Sequence, residues 1–271
     1  MDSRSDIFVT TAARETPVLR ETAHALAREL HCAFLPRRGA GLPALFAAHS
    51  ETVRAVVVQT ERLLLIDRDG HTFFAHPGIG YLRFGNLLLS GRDTLLDASG
   101  AKPGDRVLDC TLGFAAEATL FAHASGDTGV VHGVEAVPEV GVVVRAGLQS
   151  VVTKQEKLNA AMRRVQVVHL GSHRDYLRTC ADKSYDVVYF DPFFDTVLED
   201  SLSFAPLRVF GDHTRLAPET LADAVRVARR CVVVKTTRWG DTFAELGITE
   251  RVESKNGKVT YGVVAAGTEE S

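Results

Sequence analysis

Apolar and polar positions change rhythm along the chain near residue 100. Before that point Leu19, Ala23, Leu26, Ala27 and Leu30 recur at three and four, which predicts a helix over 14–30. The runs Val53–Gln59 and Leu63–Asp67, joined by Thr60-Glu61-Arg62, read as a hairpin, with a turn at Asp67–Gly70 and a possible third strand over 71–75. His76–Gly80 breaks the pattern, and Tyr81–Asp97 reads as a helix. After residue 100 short apolar runs alternate with helical patterns. The strands expected are 106–110, 130–135, 165–170, 185–191 and 231–235, with helices over 115–124, 137–151, 174–181 and 218–229. The runs 248–253 and 259–265 flank Asn256-Gly257, a hairpin signal. Alternation of this kind predicts an α/β fold, a mainly parallel sheet covered on both faces with an antiparallel edge. We therefore expect an α+β module over 1–99 and a doubly covered sheet domain over 100–271.

Such sheets bind ligands beyond the carboxyl ends of their strands, at the switch point near the first strand. The first strand there ends in Asp109-Cys-Thr111-Leu-Gly113, leading into a helix. A dinucleotide site wants G-x-G-x-x-G, and this turn offers one glycine beside Phe114, so a nicotinamide oxidoreductase is disfavoured. The second strand ends in Glu135, placed to accept ribose hydroxyls or simply to be a solvated acid. The third ends in His169-Leu-Gly-Ser172-His173, where Ser172 or the adjoining backbone could meet an adenine edge. The fourth carries the sharpest signal, Asp191-Pro192-Phe193-Phe194. Pro192 stiffens the exit from the sheet, an aromatic held there can stack on a flat base, and Asp191 can accept from an amino group.

Composition narrows the class further. Of 271 residues 45% are hydrophobic and 24% charged, too apolar for disorder, and a net charge of −3 supplies no global basic field for nucleic acid. Apolar runs are strand-length rather than membrane-length, and Met1–Asp6 does not read as a signal peptide, so a cytoplasmic protein without membrane contact is the default expectation. Cys32, Cys110, Cys180 and Cys231 are scattered without C-x-x-C spacing, so neither structural zinc nor a disulfide framework is expected, and no metal site is assigned.

Val107–Gly113, Asp186–Phe194 and Val232–Lys235, with Glu135 between them, resemble the class I S-adenosylmethionine-dependent methyltransferases. Within these the motifs are most similar to the J-type small-subunit ribosomal RNA guanine-N2 methyltransferases, in an uncharacterised bacterial branch. The resemblance spans roughly 76–240 and implies a Rossmann-like seven-stranded sheet. It implies that S-adenosyl-L-methionine is held by Asp109, Thr111 and Gly113 at its methionine end, by Glu135 and Ala136 at the ribose, and by Ser172 and His173 at adenine. Asp191, Pro192, Phe193 and Phe194 would form the catalytic strand-four motif, with Asp191 also touching the cofactor. Two departures stand out. Ser172 sits where the family usually carries Asp, and Ala115 and Ala116 sit where relatives often carry Gly and a polar residue. The implied partner is ribosomal RNA, with Lys235, Arg83, Arg92, Arg208, Arg215, Arg238 and Trp239 as candidate contacts. Two other readings remain open at this point: a DNA amino-methyltransferase, and a catalytically silent RNA- or nucleotide-binding protein on the same fold.

Overall fold

A computed structural model describes residues 4–192, 205–238, 240–253, 257 and 259–267. The described chain forms two compact units, and they interleave in sequence instead of meeting at one boundary. Residues 4–76, 137–151 and 205–211 make the first; the remainder makes the second.

The first unit is built on a five-stranded sheet in the order β2-β1-β3-β4-β5: β1 (Arg4–Thr11), β2 (Cys32–Phe34), β3 (Arg54–Val58), β4 (Leu63–Asp67) and β5 (Thr72–Phe73). β1 runs parallel to both neighbours, whereas β3, β4 and β5 form an antiparallel meander. Ile7 to Thr11 are all buried, so β1 shows no alternation and carries no period-two signal. Helix α1 (Pro17–Glu29) starts at Thr16, whose hydroxyl accepts from the Leu19 N–H, with Pro17 fixing the first turn. The sheet also carries α2 (Leu42–Ala48) and α9 (Ala205–Phe210), the latter setting Phe210 edge-on to Phe73. The chain leaves the second unit after Ala136 to contribute α6 (Pro138–Ser150) to the first. There Glu139 is fully buried and its carboxylate accepts from Arg4 and Arg54, at 2.9 and 2.8 Å.

The second unit begins with α3 (Gly78–Ser90) and α4 (Thr94–Ser99). The single helix expected over 81–97 is two, because Gly91 takes φ 69° and ends the first while Asp93 caps the amides of Leu95 and Leu96 to start the second. The seven-stranded sheet then follows in the order β11-β12-β10-β9-β6-β7-β8. Its strands are β6 (Arg106–Asp109), β7 (Val130–Glu135), β8 (Val165–Leu170), β9 (Tyr185–Phe190), β10 (Ala228–Thr237), β11 (Glu250–Glu253) and β12 (Val259–Ala265). β8, β7, β6, β9 and β10 are mutually parallel, and β12 adds antiparallel to β10, as the alternation predicts. The strand order reverses between β6 and β9, which is where such sheets bind ligands. Helices α5 (Ala116–Ser125), α7 (Glu156–Arg164), α8 (His173–Thr179), α10 (Pro218–Val227) and α11 (Thr242–Glu245) complete the unit. Leu108, Val134, Val188, Phe190, Val232 and Val234 form a core with Leu177 of α8 and Leu221 and Ala224 of α10.

The cysteines are free, Cys110 and Cys231 buried and Cys32 and Cys180 half-buried. Among the described residues no helix is long and apolar enough to cross a membrane.

Candidate active site

The residues singled out at the carboxyl ends of β6, β7 and β9 interlock through the turn between β6 and α5. Asp109, 1% exposed, closes β6 and accepts from the Thr111 N–H at 3.0 Å. The Leu112 N–H donates to the Val134 carbonyl, the Gly113 N–H to Glu135 Oε2 at 3.0 Å, and the Ala115 N–H to the Leu112 carbonyl. Four successive or near-successive amides are thus used inside the protein, so this turn is not an amide cradle for pyrophosphate. Gly113 and Ala115 both take positive φ, 48° and 60°. For Ala115 that left-handed conformation costs about 1–2 kcal/mol, and it is held by complete burial and by Thr119, whose N–H and hydroxyl both donate to its carbonyl.

From the other side the Thr111 hydroxyl accepts the Asp191 N–H at 2.6 Å, fixing the first residue after β9 to the first turn. Asp191 then terminates a chain of alternating charge through the second unit. Asp93 accepts from Arg83 Nε and Nη2 at 2.8 and 2.9 Å. Arg83 Nη1 donates to Glu117 Oε1 at 2.9 Å, and Nη2 also reaches the Tyr261 hydroxyl. Lys235 Nζ bridges Glu117 Oε1 at 3.1 Å and Asp191 Oδ2 at 2.6 Å. Among the described residues Asp191 Oδ1 receives no hydrogen bond.

Burial and mutual proximity divide these acids. Against the upward push of burial, Lys235 and Arg83 hold the Glu117 carboxyl at about 2. Burial pushes Asp191 up, Lys235 pulls it back, and the Glu117 charge adds to the rise. Asp109 goes well above the usual carboxylate range, through burial reinforced by Glu117, Asp191 and Glu135 against one backbone hydrogen bond. Lys235 lies above its ordinary range, the two carboxylates outweighing burial.

The other expected residues stand outside this hydrogen-bond network. Ser172 is exposed at the start of α8 and its side chain makes no capping bond; His173 beside it is set edge-on to Phe190, and burial lowers its basicity. Ala136 is half-buried directly after β7, and Pro192 half-buried after Asp191. Phe193, Phe194 and Trp239 lie outside the described residues. Lys235 is neither a solvated lysine nor a phosphate contact: its strand runs on to Thr237, and the ammonium is spent on two carboxylates. Arg83 is likewise committed to Asp93 and Glu117, whereas Arg92, Arg215 and Arg238 pair at the surface with Asp97, Glu245 and Glu253. Glu117, Asp93 and Tyr261 escape sequence reasoning, because nothing local marks residues whose partners lie on other elements. In the first unit Asp67, Asp69 and His71 bring ligand-type atoms together, but His71 Nδ1 is bonded to Asp67 in an exposed turn.

The family described as "Putative SAM-dependent methyltransferase" matches residues 86–261, which takes in every strand of the second unit except the last few residues of β12. The chain belongs to the SAM-dependent methyltransferase family. The methyltransferase is 36% identical over 257 residues to the uncharacterised protein YpiP of Bacillus subtilis, covering 95% of this chain and 98% of that one. It is 30% identical over 227 residues to ribosomal RNA small subunit methyltransferase J of Thioalkalivibrio sulfidiphilus, covering 80% and 83%. A solved SAM-dependent methyltransferase of Neisseria gonorrhoeae shares the fold at a TM-score of 0.63 and 17% identity, covering 95% of each chain. The methyltransferase therefore uses S-adenosylmethionine, and its seven-stranded sheet is the Rossmann-like sheet that the motifs imply.

Proposed function

We propose that this methyltransferase methylates the exocyclic amine of a nucleobase, guanine N2 in ribosomal RNA. The observation that carries the reading is the Asp191 carboxylate, with Oδ2 engaged by Lys235, Oδ1 without a hydrogen bond among the described residues, and its backbone anchored on Thr111 just before Pro192. A carboxylate oxygen presented that way suits the N–H of an amine. Similarity to proteins named ribosomal RNA small subunit methyltransferase J, at 30% and 32% identity, supports RNA as the acceptor.

The acids at the strand ends fit the cofactor by charge. Glu135, Glu117 and Asp191 outnumber the two cations among them even with the buried Asp109 left out of the count, an environment for a ligand whose sulfonium and ammonium outweigh one carboxylate. Asp109 with Thr111 and Gly113 would hold the methionine end, Glu135 and Ala136 the ribose, and Ser172 and His173 the adenine edge. Bound S-adenosylmethionine supplies an electrophilic methyl group. The chain's own work is positioning: Asp191 Oδ1 and the Pro192 carbonyl accept the amine N–H bonds, and so draw the nitrogen lone pair out of the ring. The nitrogen would take the methyl group as its S–C bond breaks and the sulfonium leaves as a neutral thioether, and the amine proton would pass to Asp191 Oδ1 and on to solvent. Phe194, more than Phe193, would stack on the base.

The test is transfer of labelled methyl from S-adenosylmethionine to unmodified small-subunit ribosomal RNA, followed by digestion to nucleosides and mass spectrometry. Label in N2-methylguanosine is expected. Label on adenine or cytosine amines of DNA instead moves the acceptor to DNA, and cofactor binding without transfer to any nucleic acid refutes the reading.

A further inference from the structure

We propose that Lys235 is a positioning residue of the transfer: pinned by Glu117, its ammonium holds Asp191 Oδ2 and so turns the carboxylate to present Oδ1 to an incoming amine. This rests on the reading of Asp191 as the amine acceptor. The Lys235 side chain is 12% exposed and does not reach for solvent, although a lysine four methylenes long ordinarily would. Its backbone is fixed on both sides, opposite Tyr261 on β12 and one residue beyond the last pairing of β10 with β9. Its head is fixed as well. Glu117 on α5 holds it, Arg83 on α3 holds Glu117, and Asp93 grips Arg83 with both carboxylate oxygens. A lysine so anchored sets both the rotamer and the protonation state of the carboxylate it meets.

The groups around the Asp191 carboxyl give the sign. Glu117 on α5, Asp109 on β6 and Tyr189 on β9 are acids in its surroundings, Lys235 on β10 and Arg83 on α3 are cations, and Tyr261 on β12 faces Lys235 and Glu117. Removing Lys235 leaves burial and Glu117 opposed, among the described residues, by the Arg83 charge, so Asp191 takes up a proton at higher pH. Once protonated it becomes a hydrogen-bond donor and can no longer accept the proton the amine gives up. Removing the Glu117 charge acts in the opposite direction.

The experiment titrates the full-length protein labelled with carboxyl-13C aspartate, with the Asp191 resonance identified by its loss in Asp191→Asn, and measures pH–rate profiles for methyl transfer in parallel. In Lys235→Met the Asp191 titration should rise by about one pH unit or more, the effect expected of one lost opposite charge. The acid limb of kcat should move with it while the KM for S-adenosylmethionine changes little, and Lys235→Arg should restore both. Glu117→Gln should lower the Asp191 titration. A folded Lys235→Met with the titration and acid limb of the wild type overturns the proposal. If that variant does not fold, Glu117→Gln decides alone, and an Asp191 titration that stays put or rises overturns it. Full turnover in Asp191→Asn refutes the acceptor role of Asp191 itself, an outcome read separately from the Lys235 titration.

Discussion

Arg83→Met tests how much the alternating charge chain holds the second unit together. The substitution keeps most of the side-chain length and removes three contacts at once: the paired bonds to Asp93, the bond to Glu117 and the bond to Tyr261. Breaking a buried ion pair by removing one partner costs about 3–5 kcal/mol. Here both stranded acids keep another donor, Asp93 the amides of Leu95 and Leu96 and Glu117 the Lys235 ammonium, and Arg83 is itself a quarter exposed. The lower end, about 3 kcal/mol, is therefore expected, equivalent to a melting temperature lower by about 6–12 °C. The dependence on pH identifies the cause. Glu117 is held at about 2 against its usual 4.5, so its contribution is complete above pH 4.5 and is lost as pH falls toward 2. The full displacement is worth about 3 kcal/mol, shared between Lys235 and Arg83. Thermal unfolding of wild type and variant should accordingly differ most near about pH 7 and by clearly less near about pH 3, with the difference closing only as pH falls past 2. A melting difference below about 2 °C, or one of equal size at both pH values, would refute the reasoning.

Three further outcomes are expected. Glu135→Ala should weaken S-adenosylmethionine binding in calorimetry while the fold is kept; unchanged affinity would remove its ribose role. Asp191→Ala should abolish methyl transfer yet still bind cofactor, and near-normal turnover would sink the strand-four mechanism. In Gly133→Ala the new Cβ would stand 2.5 Å from Leu112 Cδ1, on a side chain buried in the first turn, so a loss of about 1–3 kcal/mol and weaker cofactor binding should follow. A melting curve and cofactor affinity equal to the wild type would show that Leu112 moves aside freely.

The parallel sheet was legible because each of its strands is a short apolar run closed by a turn, and three ends carry acids: Asp109, Glu135 and Asp191. The missed elements have physical reasons. β1 is buried on both faces and has no alternation, and α7 offers only Leu158, Ala161 and Met162 as buried positions across nine residues. The break at Gly91 is written in the sequence, since glycine followed two residues later by a capping aspartate is a helix stop and start, but the leucines on either side share one helical pattern. At the site, local motifs mark the residues that end strands. They say nothing of Arg83, Glu117 or Tyr261, nor of the burial of Lys235, because those roles exist only through partners brought together by the fold.

Helix α6 follows directly on β7 of the methyltransferase sheet, yet its buried Glu139 serves Arg4 and Arg54 of the other unit. No single cut of the polypeptide can therefore yield both units whole. A fragment ending before residue 137 would leave two guanidinium groups without their carboxylate and bare the strand face that α6 covers. The N-terminal unit is thus not a block that one terminal truncation could remove intact. It is threaded through the sheet's own connections, so that segments of both units alternate along one polypeptide.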